Sequence, residues 1–434
     1  MKGKYMIIIS FDAVSSDDLA IMKKLPNFKR LMEEGSLIKD VESIYPTLTY
    51  PAHATIVTGK YPKNHGIVDN TIFKKGDFSP NWYWYRKYIK GETIYDLAKE
   101  NGLKVCSLLW PVTGKSKIDY NLTEIFKTKP YHNQYIQSGT SGSLLFQLKL
   151  NKKFGHLRKG ISQPALDNFV IESAKYVIEE YTPDLMLIHF TDVDTNRHHY
   201  GYKSREAMDG IVRHDIRLGE IIKILKNKGI YDETNIIALG DHSAIDANKI
   251  IKLNSLFREQ GLITCTKDGK FKSYKAICKS LDGSAYIYLN NPKDLDVKRE
   301  VENLLEDVVK MKEKPIEFIL KDDEIEKVGA DINASFMLEG SRGFYFVDDI
   351  LGDVLEEIKE DEVGIVPHRY RGIHGYSPKK ENYGTFFIGR GKDFKKGIVV
   401  KEGKLINHGP TLARILGVDL KDTDGEVVEE ILEL

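Results

Sequence analysis

Leu185-Met186-Leu187-Ile188-His189-Phe190-Thr191-Asp192-Val193-Asp194-Thr195-Asn196-Arg197-His198 reads as an apolar run ending in acids and a histidine. The run is too short for a buried helix and apolar on both faces, as a central strand of a parallel sheet would be. The Asp-x-x-x-His spacing of Asp194 and His198 lets both side chains turn to one ion just past the strand end. Two other runs end the same way. Ile7-Ile8-Ile9-Ser10-Phe11 leads to Asp12, and Ile236-Ile237-Ala238-Leu239-Gly240 leads to Asp241-His242. A sixth candidate ligand, His374, stands between Ile373 and Gly375. Strand ends are where open α/β sheets carry their chemistry. Three Asp and three His have the composition of a two-metal hydrolase site.

Outward from these runs the chain alternates apolar and helical patterns, which predicts an α/β fold with a parallel sheet and crossover helices. Strands are expected over 5–11, 104–110, 184–191, 235–240 and 384–389. Helices are expected over 16–34, 92–101, 164–181, 204–228 and 409–417, the fourth opening at Ser204 and stopping near Gly229. Residues 111–163 read as irregular. Residues 247–369 carry their own mixed pattern, with strand-like 285–289 and 343–347 around a helix near 295–311. The reading is therefore a catalytic core over 1–246 and 370–434, with an inserted α+β subdomain over 247–369.

The bulk numbers narrow the function. In 434 residues, 64 Lys and Arg balance 64 Asp and Glu, so stable nucleic-acid binding is not expected. Apolar residues make up 41%, enough for a sizeable core. No run approaches the length of a membrane-spanning helix. Cys106, Cys265 and Cys278 have no paired spacing, which fits a reducing compartment, and a cytoplasmic protein is expected.

A hydroxyl-rich turn, Tyr45-Pro46-Thr47-Leu48-Thr49-Tyr50-Pro51, precedes a helical pattern. Pro51 suits a first helical turn, so Thr49 falls near a helix N-terminus, where a phosphate is favoured. Thr47 and Thr49 are both candidate nucleophiles at this point. Asp and His donors with open positions suit Zn²⁺ first, with Mn²⁺ or Fe²⁺ as alternatives.

Each motif alone is weak, since a lone Asp at a strand end is as often a helix cap. The ordered set is stronger. It runs through Phe11-Asp12, the Tyr45–His53 turn, Val57-Thr58-Gly59-Lys60-Tyr61-Pro62-Lys63-Asn64-His65-Gly66-Ile67-Val68-Asp69-Asn70, Trp110-Pro111, Asp194 to Gly201, Gly240-Asp241-His242 and His374-Gly375-Tyr376. In these segments the chain resembles the nucleotide pyrophosphatase/phosphodiesterase family of the alkaline phosphatase superfamily. Pro410 to Val418 also looks like that superfamily's closing helix. The resemblance implies a three-layer alkaline-phosphatase-like sandwich and a two-zinc site. It implies Thr49 as the nucleophile of a covalent phospho-threonine route, and Asn70 as donor to a phosphoryl oxygen. Asp12, Thr49, Asp241 and His242 would hold one ion; Asp194, His198 and His374 would hold the other. The implied substrates are small phosphodiesters or nucleotides. A phosphonoacetate-type phosphonate hydrolase or a phosphomonoesterase of the same superfamily is the alternative, and a binding protein that keeps the fold and metals is a third.

The sequence departs from the family in three places. Tyr50-Pro51-Ala52-His53 replaces Phe-Pro-Asn-His, so Tyr50 is the ring expected beside a substrate base. Arg197 replaces a glycine and is expected either at a substrate phosphate or on the surface. Gly240-Asp241-His242-Ser243 replaces Ser-Asp-His-Gly. His53 and His65 are expected to hold the turn, His189 to sit in the core or behind a ligand, and His199 to be solvated. Asp192 is the alternative to Asp194. Trp82-Tyr83-Trp84-Tyr85 reads either as an edge strand on the core or as an aromatic wall.

Overall fold

The computed structural model describes residues 3–74, 80–128, 133–267 and 270–433. Its central element is an eight-stranded sheet. Across the sheet the order is Val399–Lys404, Ser36–Glu42, Thr385–Arg390, Thr234–Leu239, Tyr5–Phe11, Leu185–Phe190, Val105–Leu108 and Tyr120–Leu122. All neighbours run parallel except Thr385–Arg390, which is antiparallel to both strands beside it. The expected mostly parallel sheet is therefore present, with one reversed strand that an apolar run cannot reveal.

Period-two alternation builds the three layers. Ile7, Ile9 and Phe11 enter one core with Met186, Ile188, Ile236 and Ala238. Met6 and Ile8 enter the other with Leu185, Leu187, Ile237 and Leu239. Helices Ala165–Glu180 and Arg205–Asn227 cover the first face. Helices Thr49–Thr58, Ile94–Glu100 and His408–Leu416 cover the second. Both-sided burial is why the strands read as continuous apolar runs rather than alternating ones.

A second, four-stranded antiparallel sheet lies within 247–369, in the order Ala276–Leu281, Ser284–Leu289, Phe336–Gly340, Ile316–Lys321. Helix Leu295–Val309 accompanies it, and Tyr45 and Leu48 of the hydroxyl-rich turn sit in its core. The short pairing of Gly372–Ile373 with Ile245–Asp246 brings the chain back to the large sheet.

Two expectations need correction. The helix expected over 16–34 is broken into Ser16–Asp18, Leu19–Met22 and Pro26–Glu34. Pro26 has no N–H to continue a helix and instead starts a new one at its first position. The stretch 111–163 is not irregular throughout, since Gln134–Ser141 and Leu144–Phe154 are helices. Leucines on the outer side of the second helix blur its apolar period.

His65, within the family-like stretch, is fully buried and neutral by its bonding. Its Nδ1 accepts from the Ile67 amide at 3.1 Å, and its Nε2 meets the Thr55 hydroxyl at 3.0 Å. Burial drives its pKa from 6.5 to about 3, and the buried His408 behaves alike. The unfolded chain takes these protons first, so stability present above pH 6.5 is lost as pH falls toward 3. By pH 4 each histidine should cost the fold about 3 kcal/mol. Denaturant midpoints of wild type and His65→Gln should therefore converge as pH is lowered from 7 to 4. Parallel pH profiles would refute this.

Candidate metal and nucleophile site

Register assembles the site. Phe11 pairs with Phe190 and Ser10 with Leu239, so the residues just beyond the three central strands emerge side by side. Asp12 follows the first strand, helix Asp192–Tyr200 follows the second, and Gly240-Asp241-His242 follows the third. Asp194 and His198, four apart on that helix, share one face. Gly240 is required here, because a Cβ would lie 2.1 Å from Thr385 Oγ1 and 2.2 Å from the Val14 carbonyl oxygen. A serine at this position would not fit without a shift of these neighbours.

The ligand atoms of Asp12, Asp241 and His242 lie within 4.8 Å of one another, and so do those of Asp194, His198 and His374. His242 and His374 join the two groups, their rings stacked at 4.1 Å. In the first group His242 Nε2 is 3.4 Å from Asp12 Oδ1 and 3.3 Å from Asp241 Oδ2. In the second, Asp194 Oδ1 is 3.3 Å from His198 Nε2 and 3.7 Å from His374 Nε2.

The three imidazoles are oriented alike. Nδ1 of His242, His198 and His374 bonds the carbonyls of Ser243, Gly372 and Thr47 at 3.1, 2.7 and 3.1 Å. A proton on each Nδ1 leaves the Nε2 lone pairs facing the site, as metal-binding histidines are held. Burial lowers the pKa of His242 to about 4 and pushes His374 well down, so both are neutral.

The acids need positive charge. Asp12 Oδ1 and Asp241 Oδ2 are buried without a hydrogen-bond partner. Burial, then the nearby Asp241 and Asp194, raises Asp12 well above the carboxylate range. Burial raises Asp241 to about 7. Asp194 is also opposed by burial, yet the neighbouring His198 draws its pKa below the usual carboxylate range. Orphaned carboxylate oxygens beside an inward lone pair fit a divalent cation in the first group. In the second, one carboxylate and two inward Nε2 atoms offer a donor set of the same kind, and N/O donors suit zinc.

Thr49 is the first residue of helix Thr49–Thr58, and its Oγ1 lies 3.2 Å from His242 Nε2. Thr47 does not compete. Its buried hydroxyl donates to the Tyr376 carbonyl at 2.9 Å and meets Tyr383 Oη at 3.0 Å. Asn70 Oδ1 accepts the Tyr50 amide at 2.9 Å, leaving Nδ2 as a donor near the start of the helix that begins at Thr49. His53 Nδ1 bonds the Thr49 carbonyl at 2.8 Å, and His189 Nε2 bonds Asp12 Oδ2 at 3.1 Å. His53 thus holds the turn at Thr49, and His189 stands behind the candidate ligand Asp12, in line with the expectation for each. His199 is exposed.

Several expectations change. Arg197 is neither at the surface nor free for a phosphate. It is 1% exposed, paired with Asp18 at 2.8 Å, bonded to the Ala13 carbonyl and stacked over Tyr202. A buried guanidinium needs such a partner, and Asp18 supplies it. Tyr50 does not present an open ring. It is fully buried, with Trp82 edge-on at 5.1 Å. Trp82-Tyr83-Trp84-Tyr85 forms neither a regular edge strand nor a bare wall. A single bridge ties Trp82 to Thr71, and Trp84 is buried in a small core with Tyr50, Ile67 and Ile125. Asp192 is committed to Arg213 and Arg217 at 2.7 and 2.8 Å.

One residue went unread. Glu124 lies in a stretch without periodicity, yet its charge is felt by Asp12. Its Oε2 is buried without a partner, and burial raises its pKa to about 7. No spacing in the sequence marks it.

The family model described as type I phosphodiesterase / nucleotide pyrophosphatase matches residues 6–377. The chain belongs to this family. Among curated members it is similar to human ectonucleotide pyrophosphatase/phosphodiesterase family member 1. That match is 27% identical over 229 residues, covering 50% of this chain and 21% of the relative. It is also 27% identical to venom phosphodiesterase 2 of Crotalus adamanteus, covering 55% of this chain and 26% of the relative. The matches thus span about a quarter or less of these relatives' length. Among solved structures, human ectonucleotide pyrophosphatase/phosphodiesterase 5 superposes with a TM-score of 0.67 at 19% identity, covering 99% of this chain and all of the other. An inactive murine form of that protein in complex with AMP gives 0.66 at 18%, each chain covered in full. These likenesses establish the alkaline-phosphatase-like fold of the family.

Proposed function

We propose that the chain is a metal-dependent hydrolase that cleaves small phosphodiesters or nucleotide pyrophosphate bonds by way of a phosphorylated Thr49. The observation that carries this is Thr49 Oγ1 at the His242 Nε2 that links the two acid–histidine groups, next to carboxylate oxygens with no partner. Family membership and the AMP bound to a protein of the same fold support a nucleotide-type substrate.

Two divalent cations, zinc by the donor set, would supply the charge that lowers the hydroxyl's pKa and stabilises developing negative charge. Asp12, Asp241 and His242, with Thr49, would hold one, and Asp194, His198 and His374 the other. Thr49 Oγ1, giving up its proton, would bond to phosphorus from the helix N-terminus as the bond to the leaving alcohol or phosphate oxygen breaks, and that group would depart protonated or as a phosphate anion. Asn70 Nδ2 would hold a non-bridging oxygen, its orientation set by the Tyr50 amide on Oδ1. Water would then release the phosphoryl group from Thr49.

Diester preference follows from charge. A monoester brings an extra negative charge, and the nearby guanidinium of Arg197 is spent on Asp18. The residues 247–369 are proposed to shape the leaving-group side, supported by Tyr45 and Leu48 in their core. A reducing, cytoplasmic setting belongs to the same reading, supported by three unpaired thiols.

Zinc-loaded protein should turn over bis(4-nitrophenyl) phosphate faster than 4-nitrophenyl phosphate, and phosphonoacetate not at all. Turnover of the monoester alone, or of phosphonoacetate alone, would replace this reading with its alternative.

A further inference from the structure

The segment that the active site leaves unexplained is the one between Glu124 and Asp167. A chain with balanced charge carries no Asp or Glu across these 42 positions, but Lys or Arg at seven of them. Within the segment, helices Gln134–Ser141 and Leu144–Phe154 pack together, Leu144 lying over Gly139.

The second helix faces two ways. Phe146, Gln147 and Leu150 are buried. At about 100° per residue, Leu144, Leu148, Lys152, Leu145 and Lys149 fall within a single arc of about 140° on the other side. The leucines there are open to solvent, Leu144 by 50%, Leu145 by 81% and Leu148 by 53%, and Ile136 on the neighbouring helix by 63%. Exposed aliphatic clusters of this kind mark a surface that something covers.

Two of the lysines beside them are held by tyrosines and not neutralised by carboxylates, Lys149 Nζ donating to Tyr181 Oη at 3.0 Å. Lys149 and Lys153 lie over the rings of Tyr176 and Tyr181 or Tyr176 alone. Among the described residues none of Lys149, Lys152 and Lys153 pairs with a carboxylate. Their long stems can follow the leucines inward while the ammonium groups stay at a polar boundary.

We infer that this face, Leu144, Leu145, Leu148 and Ile136 ringed by Lys149, Lys152 and Lys153, docks on an anionic lipid surface. The aliphatic side chains require an apolar phase, which a nucleic-acid backbone does not offer, and the lysines require an anionic one. A lipid headgroup region supplies both at the depth a lying helix reaches. The apolar patch is short, so it binds weakly by itself; the basic patch is the second signal that makes the contact stable. No helix among the described residues is long and apolar enough to cross a membrane. The contact inferred for this face is with the bilayer surface. It is independent of the proposed hydrolysis.

Flotation of the full chain with vesicles tests this. Vesicles of phosphatidylcholine mixed with phosphatidylglycerol should carry the protein at low salt, with binding falling as KCl rises. Pure phosphatidylcholine vesicles should not. Lys152→Gln should weaken partitioning about fivefold. The double variant Leu145→Gln/Leu148→Gln should weaken it more than about tenfold while melting like wild type, because both side chains are exposed. Equal binding to neutral vesicles, no binding to anionic ones, or full binding by the double variant would overturn the inference. So would a dimer in solution that the double variant converts to monomer without any vesicle binding, since a second copy would then cover the face.

Discussion

Thr49→Ala should abolish multiple turnover, lowering kcat for a diester by at least about 10⁴-fold with added zinc. The neighbouring threonine hydroxyl cannot substitute. Thr47, two residues earlier, is buried and bonded to Tyr376 and Tyr383. The change should leave the fold intact, since Thr49 Oγ1 contacts only His242 Nε2 among the hydrogen bonds described, and alanine is the better helix former. Melting of the metal-free variant should therefore match wild type. Thr49→Ser retains the oxygen and should recover most of the rate. Acid-quenched wild type given a ³²P-labelled diester should hold label that Thr49→Ala lacks. A Thr49→Ala enzyme that works at near-normal rate would remove the covalent route from consideration.

Stripping the protein with a chelator should lower turnover at least about a thousandfold, and zinc should restore it. The effect on stability should be just as visible. Asp12 Oδ1 and Asp241 Oδ2 stand buried and unpartnered, and each acid is opposed by burial and by the others. A cation that binds only the folded chain would relieve this, adding about 4 kcal/mol when its concentration is a thousand times its Kd. Asp12→Asn separates the two roles of the acid. It should weaken metal binding and activity, yet raise the melting temperature of the metal-free protein, because it removes a buried charge that repels two neighbours. A metal-free Asp12→Asn protein that melts lower than wild type would mean that the bond between His189 Nε2 and Asp12 Oδ2 outweighs the repulsion from the neighbouring acids.

Much of the site was legible because each piece is local. An apolar run followed by Asp states both a strand and its functional end, so Asp12, Asp194 and Asp241 could be found without knowing how the strands are ordered. Asp194 and His198 are four apart, which is itself a geometric statement once the segment is helical. Pro51 marked the helix start that puts Thr49 at an N-terminus. The failures have an equally local cause. The spacing from 16 to 34 is amphipathic, but Pro26 interrupts it. Arg197 was read as a free cation because its partner, Asp18, is 179 positions away. Glu124 could not be read at all, since nothing near it in the chain points to a charged group.

The amino-acid sequence by itself determined the α/β class, the candidate ligands at the strand ends and the family, because these depend on residue type, short spacing and order along the chain. Only the tertiary structure decided the rest. Strand register brought three distant strand ends together, and the return through Gly372–Ile373 added His374. Packing closed Tyr50 behind Trp82 and consumed Arg197 and Thr47 in contacts with residues far along the chain. The physical reason is that periodicity records which side of an element is buried, whereas the partner on that side is chosen by how the elements are laid against one another.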